Sequence, residues 1–366
     1  MKQWLETRQV LDRLASLHAS GGRAELATVV RVNGSAYRHE GAKLVVAADE
    51  SSVGNVSGGC LEADVREVAL RVIASGVCER RSYCGGSDEI SAWDLGVGCD
   101  GEVEILVEPV CSDREAERLA LREEAPFLVI TRLDVDSATG EAPRMVIAGT
   151  NVRGTLGDEL IDARVLADAR QWSACAASHL QLVCGVTLFV DVMQPPPRLV
   201  VVSAGQDARV LARLASEVGF RVVVVDRRPG MLVREHFPDV VRLLHSSAAE
   251  LNERLVLDAS CFAVVMTHDF TDDTEYLRAL LQTPACYLGI LGPRQRTERI
   301  LARIGGEGIA NAAARIYGPV GLDIGTDGAE QVALAVLAEI LAVKSGRRLA
   351  SLRDRAAPIH AAAVSR

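Results

Sequence analysis

The spacing of apolar and polar residues divides the chain into two parts that predict different elements. Before residue 194, apolar residues recur at helical spacing or in short strand-like runs. These runs predict helices at 2–17, 61–75 and 158–172, and strands at 25–32, 42–48, 101–110, 126–133 and 181–192. Such a mixture is typical of an α+β domain.

Beyond residue 198 the predicted strands are continuous apolar runs, and helical segments separate them. The strands are predicted at 198–203, 221–226, 261–268 and 286–292, and the first helix at 207–219. Strands that are apolar throughout are buried on both faces, which is typical of a parallel sheet covered by helices. The pattern therefore predicts a Rossmann-like domain.

Three consecutive prolines in the segment 194–198 mark the boundary between these parts. Proline cannot continue a helix or a central strand, and a run of prolines stiffens a connector. We therefore predict an α/β protein with a mixed α+β N-terminal domain over 1–193, a linker over 194–198 and a Rossmann-like C-terminal domain over 199–366. We expect the N-terminal domain to be the smaller one, and we find no internal repeat in the sequence.

The charge and composition of the chain argue against nucleic-acid and membrane partners. The chain has 366 residues, which exceeds one typical domain, and its net charge is -9. A nucleic-acid partner requires a basic face and stacking aromatics, so this charge and the 4% of aromatic residues argue against one. The apolar run at 332–343 is too short to cross a membrane and contains Glu339. The charged amphipathic start differs from a signal peptide, so we expect a cytoplasmic protein with reduced thiols and no membrane contact.

A cysteine behind two glycines is the first candidate for chemistry, in the stretch NVSGGCLEADV at 55–65. The apolar spacing predicts that a helix begins close to Cys60, and a helix start carries unpaired N–H groups and positive partial charge. A thiolate there has a lowered pKa and is a better nucleophile or soft-metal ligand. Gly58 and Gly59 allow a sharp turn and the close approach of a ligand, and the same N–H groups suit a phosphate. The alternative is a buried cysteine beside a tight turn.

A second cysteine in a glycine-rich loop strengthens the hypothesis of a thiol site. Gly98 and Cys99 precede an Asp–Gly turn in the stretch DLGVGCDG, so two thiols of one domain could converge on one soft ligand. Glu62, in the first helical turn, is a further candidate for cofactor binding, although we interpret it first as compensation of the helix dipole, in preference to an acid–base group. Arg38, beside the loop GSAYR, is equally consistent with a phosphate contact and with a solvated side chain.

The turn after the first C-terminal strand departs from a dinucleotide-binding fingerprint. That fingerprint reads GxGxxG/A, with an acidic residue about 20 positions later. Gly205 and Ala208 match its second and third positions, and Asp226 matches the acidic residue. Ser203, however, replaces the first glycine, and Asp207 puts a negative charge where a pyrophosphate would bind. The sequence therefore favours the fold and disfavours NAD(P) as a ligand.

Two further loops follow C-terminal strands, at the sheet edge where Rossmann ligands bind. His268 and Asp269, in THDFTDD, are candidates for a metal site or a proton relay, although we favour a strand-end histidine and a helix cap. Gly292 and Arg294 lie in GILGPRQR, where Arg296 also opens a predicted helix. Cations are unfavourable at a helix start, so a bound phosphate would explain the arginines, as would an exposed basic turn.

Together these motifs resemble those of the XdhC/CoxI family, accessory factors for xanthine dehydrogenase and related molybdenum hydroxylases. The resemblance covers nearly the whole chain, through GSAYRHEGA (34–42), SGGCLE (57–62), GCDG (98–101), VSAGQDA (202–208), THDFTDD (267–273), YLGILGPR (287–294) and GLDIG (321–325). Departures from the family pattern include Tyr37 in place of a proline and Ser203 in place of a glycine. Most of the departures lie at the ligand edge of the C-terminal sheet.

The resemblance implies a protein that binds the molybdenum cofactor, protects it, supports its sulfuration by a cysteine desulfurase and delivers it to an apo-hydroxylase. It implies that Cys60, and after it Cys99, contacts the cofactor or handles sulfur, in a homodimer with no established reaction of its own. Two alternatives are an NAD(P)-dependent oxidoreductase built on the Rossmann domain and a thiol-based sulfur carrier or redox protein without molybdenum.

Overall fold

A computed structural model describes residues 2–34, 36–59, 61–84, 102–134, 140–175, 177–306 and 312–354. The chain forms two compact units, of which one holds Lys2–Pro195 and the other begins at Pro196. The N-terminal unit is the larger of the two, so the expectation that it would be the smaller is wrong. The reason is that it contains two sheets, whereas the C-terminal unit contains one.

Each half of the N-terminal unit builds one antiparallel five-stranded sheet. The first half consists of α1 (Lys2–Ala19), β1 (Ala24–Asn33), β2 (Lys43–Ala47), β3 (Ser52–Gly54), α2 (Glu62–Ser75), β4 (Glu79–Cys84) and β5 (Glu102–Pro109). The second half consists of α3 (Glu115–Arg122), β6 (Phe127–Arg132), β7 (Arg144–Ala148), β8 (Asn151–Thr155), α4 (Glu159–Ser173), β9 (His179–Val183) and β10 (Val186–Met193).

The two halves share one topology. The first sheet has the strand order β3-β2-β1-β5-β4, and the second has the order β8-β7-β6-β10-β9. Every neighbouring pair in both sheets is antiparallel. A helix precedes the first strand of each half, and another joins its third and fourth strands. The structure therefore contains a repeat that the sequence pattern did not reveal.

Each sheet of this unit carries one helix on one face. Helix α2 buries Val65 and Val68 against the first sheet, and α4 buries Ile161 and Val165 against the second. The other faces of the two sheets lie toward each other, with apolar residues and buried ion pairs between them.

The predicted strand at 181–192 is instead the hairpin of β9 and β10. Its two-residue turn is Cys184–Gly185, and both residues have positive φ, 51° and 83°. A tight two-residue hairpin requires two left-handed residues, and the first is usually Asn, Asp or Gly. A cysteine at that place therefore gave no turn signal in the sequence. The strands β3, β4, β7 and β8 were also not predicted; β3 and β8 are short edge strands without apolar alternation.

The C-terminal unit has a parallel sheet, which confirms the predicted Rossmann-like fold. Its strands are β11 (Arg198–Val202), β12 (Arg221–Asp226), β13 (Arg242–His245), β14 (Phe262–Val265), β15 (Tyr287–Ile290) and β16 (Ile316–Tyr317). Its helices are α5 (Gln206–Val218), α6 (Leu251–Arg254), α7 (Phe270–Leu281), α8 (Arg294–Ile304) and α9 (Ala329–Ser345).

The strand order of this sheet is β13-β12-β11-β14-β15-β16. It is the Rossmann order, in which the chain reverses direction across the sheet between β11 and β14. Apolar clusters cover both faces. The loops after β11, β12, β14 and β15 thus meet at one edge, where this fold places its ligands.

Candidate functional site

The loop between β3 and α2 carries the predicted thiol, Cys60. This residue lies outside the described residues, as do the candidates Gly98 and Cys99. The residues on both sides of Cys60 are described. Whether the two thiols meet therefore stays a prediction.

A clasp of hydrogen bonds closes this loop around the carboxylate of Glu62. The amide of Ser57 donates to Glu62 Oε1 at 2.8 Å, and the Ser57 hydroxyl donates to Oε2. The amide of Gly59 lies 2.9 Å from the same Oε2 and 3.2 Å from Ser57 Oγ. The carboxylate therefore faces back into the loop and is buried there.

The clasp keeps Glu62 ionised. Burial opposes ionisation, but hydrogen bonds from the Ser57 hydroxyl and from the amides of Ser57 and Gly59 outweigh it and lower the pKa of Glu62. The amide of Leu61 is also taken, since it donates to Ser57 Oγ at 3.0 Å. The amides of Gly59 and Leu61, one on each side of the thiol, are thus satisfied within the loop, which leaves neither as the phosphate donor suggested by the sequence.

The loop at 34–41 contacts the thiol loop through an aromatic ring. A Cβ at Gly58 would lie 3.2 Å from Tyr37 Cγ, so glycine lets the ring approach the backbone. The Tyr37 side chain is otherwise 70% exposed. Gly59 has φ +117° with open space where a Cβ would stand, so its backbone conformation rather than crowding favours glycine.

Arg38 is neither a solvated side chain nor free for a phosphate contact, the two alternatives considered for it. Its guanidinium forms an ion pair with Glu6 of α1 and is largely buried. Its Nε is buried without a hydrogen-bond partner. The structure therefore uses Arg38 first to hold the loop at 34–41 against α1.

The turn after β11 has Ser203 at the position of the first glycine of the dinucleotide-binding fingerprint. Ser203 has φ +153°, a conformation that favours glycine, and its hydroxyl accepts a hydrogen bond from the Gly205 amide at 3.0 Å. Gly205 is the residue preceding α5. The Gly205 amide, which a pyrophosphate would otherwise accept from, thus already donates to the serine hydroxyl.

Asp226, the predicted ribose-binding acid, is already fully bonded. Its Oδ1 accepts from the Arg228 amide at 2.8 Å and from Arg228 Nε at 3.0 Å. Its Oδ2 accepts from the Ala204 amide at 2.8 Å and from Arg228 Nη2 at 2.9 Å. Burial opposes ionisation of this group, but these bonds outweigh it and lower its pKa. A carboxylate with four bonds has no acceptor site left for ribose hydroxyls.

At the reversal point of the sheet, the loops after β11 and β14 meet through a histidine and an aspartate. His268 Nε2 lies 3.3 Å from Asp207 Oδ2, and both side chains are partly exposed. Asp269 accepts hydrogen bonds from the Thr271 and Asp272 amides at 2.9 and 2.8 Å, so it is the cap of α7. The favoured interpretation of Asp269 as a cap agrees with this geometry, whereas His268 faces α5.

The loop after β15 is fixed by a buried aspartate that the sequence pattern did not mark as a site residue. Asp273 accepts from Thr267 Oγ1 at 2.6 Å and from Arg296 Nη2 at 2.7 Å, and it is 1% exposed. The Arg296 side chain crosses Gly292, where a Cβ would collide with it at 2.8 Å. Arg294 instead is exposed and pairs with Glu298 on the next turn of α8.

The described residues show neither a cluster suited to a metal ion nor a helix suited to crossing a membrane. Among these residues no group of three or more His, Cys, Asp or Glu side chains is placed to hold a metal ion. Within the same ranges no helix combines the length and apolarity needed to cross a bilayer.

Fold and site thus define a two-unit α/β protein with a glycine-bounded thiol loop and a Rossmann edge whose acids are internally paired. Residues 199–340 match the XdhC Rossmann domain family, and residues 17–83 match the XdhC and CoxI family. The chain belongs to the XdhC/CoxI family, as the resemblance of its motifs implied.

Individual relatives agree with this assignment over most of the chain. A protein of Bacillus subtilis named as a probable xanthine dehydrogenase subunit is 29% identical, over 87% of this chain and 92% of its own. The molybdenum cofactor insertion chaperone PaoD of Escherichia coli is 25% identical, over 92% and 88%. A crystal structure described as a xanthine dehydrogenase from Bacillus halodurans has a TM-score of 0.74 and 28% identity, over 93% and 97%.

Proposed function

We propose that this protein binds the molybdenum cofactor as cargo and delivers it to a molybdenum hydroxylase. The observation that carries this proposal is the clasped loop at 57–62, which brings a thiol to the start of a helix between glycine and leucine backbone. A relative that aligns over 92% of the chain is named as a molybdenum cofactor insertion chaperone. The proposal extends to sulfuration of the bound cofactor by a cysteine desulfurase, to a cytoplasmic location and to a homodimeric assembly.

The chemistry of the loop suits such a cargo. Thiolate is a nucleophile and a preferred ligand of soft metal centres. Gly58 and Gly59 are exposed, and beyond the chain neighbours of Gly59 no atom of the described residues lies within 4 Å of the place of its Cβ, so bulky cargo can approach this backbone. We assign Cys60 the first contact with the cargo, and Cys99 the second.

The C-terminal unit supports the alternative of a nicotinamide-dependent oxidoreductase less well. A dinucleotide would have to displace Arg228 from Asp226 and the Ser203 hydroxyl from the Gly205 amide. We therefore assign the Rossmann unit no hydride transfer. Titration with NAD(P)H by fluorescence tests this assignment, and saturable binding at micromolar concentration would contradict it.

Cofactor retention tests the leading proposal directly. Purified protein is incubated anaerobically with molybdenum cofactor and passed through gel filtration, and bound molybdenum and pterin are measured. We expect the wild type and Cys111→Ala, which removes an exposed thiol elsewhere in the same unit, to retain cofactor. We expect Cys60→Ala to lose most of it. No retention by the wild type, or equal retention by all three proteins, would refute the proposal.

A further inference from the structure

The two sheets of the N-terminal unit also correspond at particular charged positions, beyond their common topology. In the first sheet Lys43 begins the second strand and lies opposite Thr28. In the second sheet Arg144 begins the second strand and lies opposite Thr131. Both positions thus combine a basic side chain with a threonine across the strand pair.

The acidic residues of the two sheets correspond by the same register. Glu108 on β5 lies opposite Leu26, and Asp191 on β10 lies opposite Val129. Leu26 and Val129 are themselves equivalent, since each stands two residues before the threonine of its first strand. A basic and an acidic residue therefore occupy matched places in each half.

The four matched charges pair with one another across the two halves, and Arg144 also binds Glu117 of its own half at 3.1 Å. Lys43 of the first half binds Asp191 of the second, and Arg144 of the second binds Glu108 of the first at 2.6 Å. Crossed contacts of this kind are what two equivalent surfaces make when a two-fold axis relates them. The pairing therefore identifies the two halves as copies of one unit, packed about a pseudo-two-fold axis.

The second copy also contains a counterpart of the thiol loop. There the Thr155 hydroxyl lies 2.5 Å from Asp162 Oδ2, and the Leu156 amide lies 2.8 Å from Asp162 Oδ1. The Gly157 amide donates to Thr155 Oγ1 at 3.0 Å, and Gly157 has φ +83°. A hydroxyl, a left-handed glycine two residues later and a carboxylate from the first turn of the helix thus form a similar clasp. It differs in spacing, since Asp162 lies seven residues after Thr155 and Glu62 five after Ser57, and its carboxylate accepts from the Leu156 amide where Glu62 accepts from those of Ser57 and Gly59.

The two clasps differ in the residue after the glycine. Gly59 precedes Cys60, whereas Gly157 precedes Asp158. Asp158 is an ordinary helix cap, since it accepts hydrogen bonds from the amides of Leu160 and Ile161 at 2.8 and 3.2 Å. The clasp is thus present where no thiol is, so its carboxylate serves the loop itself.

We propose that the N-terminal unit is a structural duplication, and that Glu62 is a positioning residue that holds the backbone of the Cys60 loop and does not contact the cargo. This inference rests on the proposed function for its cargo, but the clasp and its copy are independent of it. It replaces the interpretation of Glu62 as a cofactor contact and assigns Ser57 the same positioning role.

The duplication supplies a matched control for the test. Glu62→Gln and Asp162→Asn each neutralise the carboxylate of one clasp in the full chain. We measure thermal unfolding, the rate at which iodoacetamide labels Cys60 in the cargo-free protein, and retention of molybdenum cofactor. Ser57→Ala and Thr155→Ala form a second, milder pair, for use if either carboxylate variant does not fold.

We expect both carboxylate variants to lower the melting temperature, because each clasp holds a helix start. Only Glu62→Gln should change the labelling of Cys60 several-fold, and only it should reduce cofactor retention, by about tenfold as for supporting residues around metal sites. Changed labelling without cargo marks positioning, since a residue that only contacted the cargo would leave the cargo-free thiol unaffected.

Two outcomes would overturn the inference and leave the proposed function standing. One is a loss of retention in Glu62→Gln with wild-type labelling of Cys60, which would make Glu62 a cargo contact. The other is an equal effect of Asp162→Asn on labelling and retention, which would make the effect a general loss of stability. If the wild type retains no cofactor, the proposed function fails, and the labelling comparison alone decides the role of Glu62.

Discussion

Removal of one buried charge between the two sheets of the N-terminal unit should destabilise the protein strongly. The side chains of Lys43 and Asp191 are 6% and 3% exposed. Lys43 also donates to the Gly41 carbonyl oxygen at 3.1 Å, and Asp191 accepts from Ser178 Oγ at 2.8 Å. Lys43→Met would keep the stem of the side chain and leave the Asp191 carboxylate buried with only the serine for a partner.

The expected loss follows from the cost of an unpaired buried charge, which is about 3–5 kcal/mol. For a folding unit of this size, a change of 1 kcal/mol moves the melting temperature by about 2–4 °C. Lys43→Met should therefore melt about 10 °C below the wild type, as measured by differential scanning calorimetry of the full chain at pH 7. The double variant Lys43→Met/Asp191→Leu should recover most of this loss, because replacing a whole buried pair by apolar groups is often neutral or stabilising.

An exposed ion pair of the same unit provides the control. Arg164 and Asp168 lie 2.8 Å apart on the surface of α4, so Arg164→Met should change stability by no more than about 0.5 kcal/mol. Two results would show that Lys43 and Asp191 are not coupled as a buried pair. One is a melting temperature of Lys43→Met equal to that of Arg164→Met, and the other is a double variant no more stable than Lys43→Met. The crossed-pair argument for a duplicated unit would then lose its energetic basis.

Two further predictions concern the same unit. Burial raises the pKa of Glu25 from 4.5 to about 8, with Arg23 opposing the shift; between these values the unfolded chain releases a proton that the native protein keeps, so stability should fall by up to about 1.4 kcal/mol per pH unit. Glu25→Gln should abolish this fall in urea unfolding at pH 5 and pH 8, and an unchanged slope would contradict the assignment. Gly41→Ala should destabilise more than Gly76→Ala in the same assay, since both have positive φ but only a Cβ at Gly41 meets the Asp191 carboxylate, at 2.6 Å; equal losses would exclude that collision.

The C-terminal fold could be predicted because burial on both faces leaves a plain signal. Strands such as Leu199–Val202 and Val222–Val225 are apolar without interruption, and all of these residues are buried. The state of the ligand edge could not be predicted, since it depends on which side chain bonds to which. Asp226 matches a ribose-binding position in the sequence, and only the geometry shows that Arg228 already occupies it.

The duplication was concealed from the sequence for two physical reasons. Equivalent residues share chemistry and not identity, as in lysine for arginine and glutamate for aspartate. Their spacing also differs, because 14 residues lie between Thr28 and Lys43 and 12 lie between Thr131 and Arg144. In addition, β1 has a register irregularity between Val29 and Arg31, whereas the register of β6 with β10 is regular. A search for self-similarity at a fixed period cannot detect copies that differ in this way.

The paired copies also bear on why one loop is suited to chemistry and its counterpart is not. In both, the carboxylate accepts hydrogen bonds from amides of the loop that precedes the helix. In the second copy Asp158 takes two more amides of its helix, so that copy has closed the helix start to ligands. In the first copy no side chain caps α2, and the amides that are taken lie in the loop before it. With Leu61 at its N-cap, α2 begins without the capping side chain that α4 has, which gives up about 1 kcal/mol of helix stability. That loss is tolerable because the crossed ion pairs and the clasp fix the sheet and the loop on either side of it.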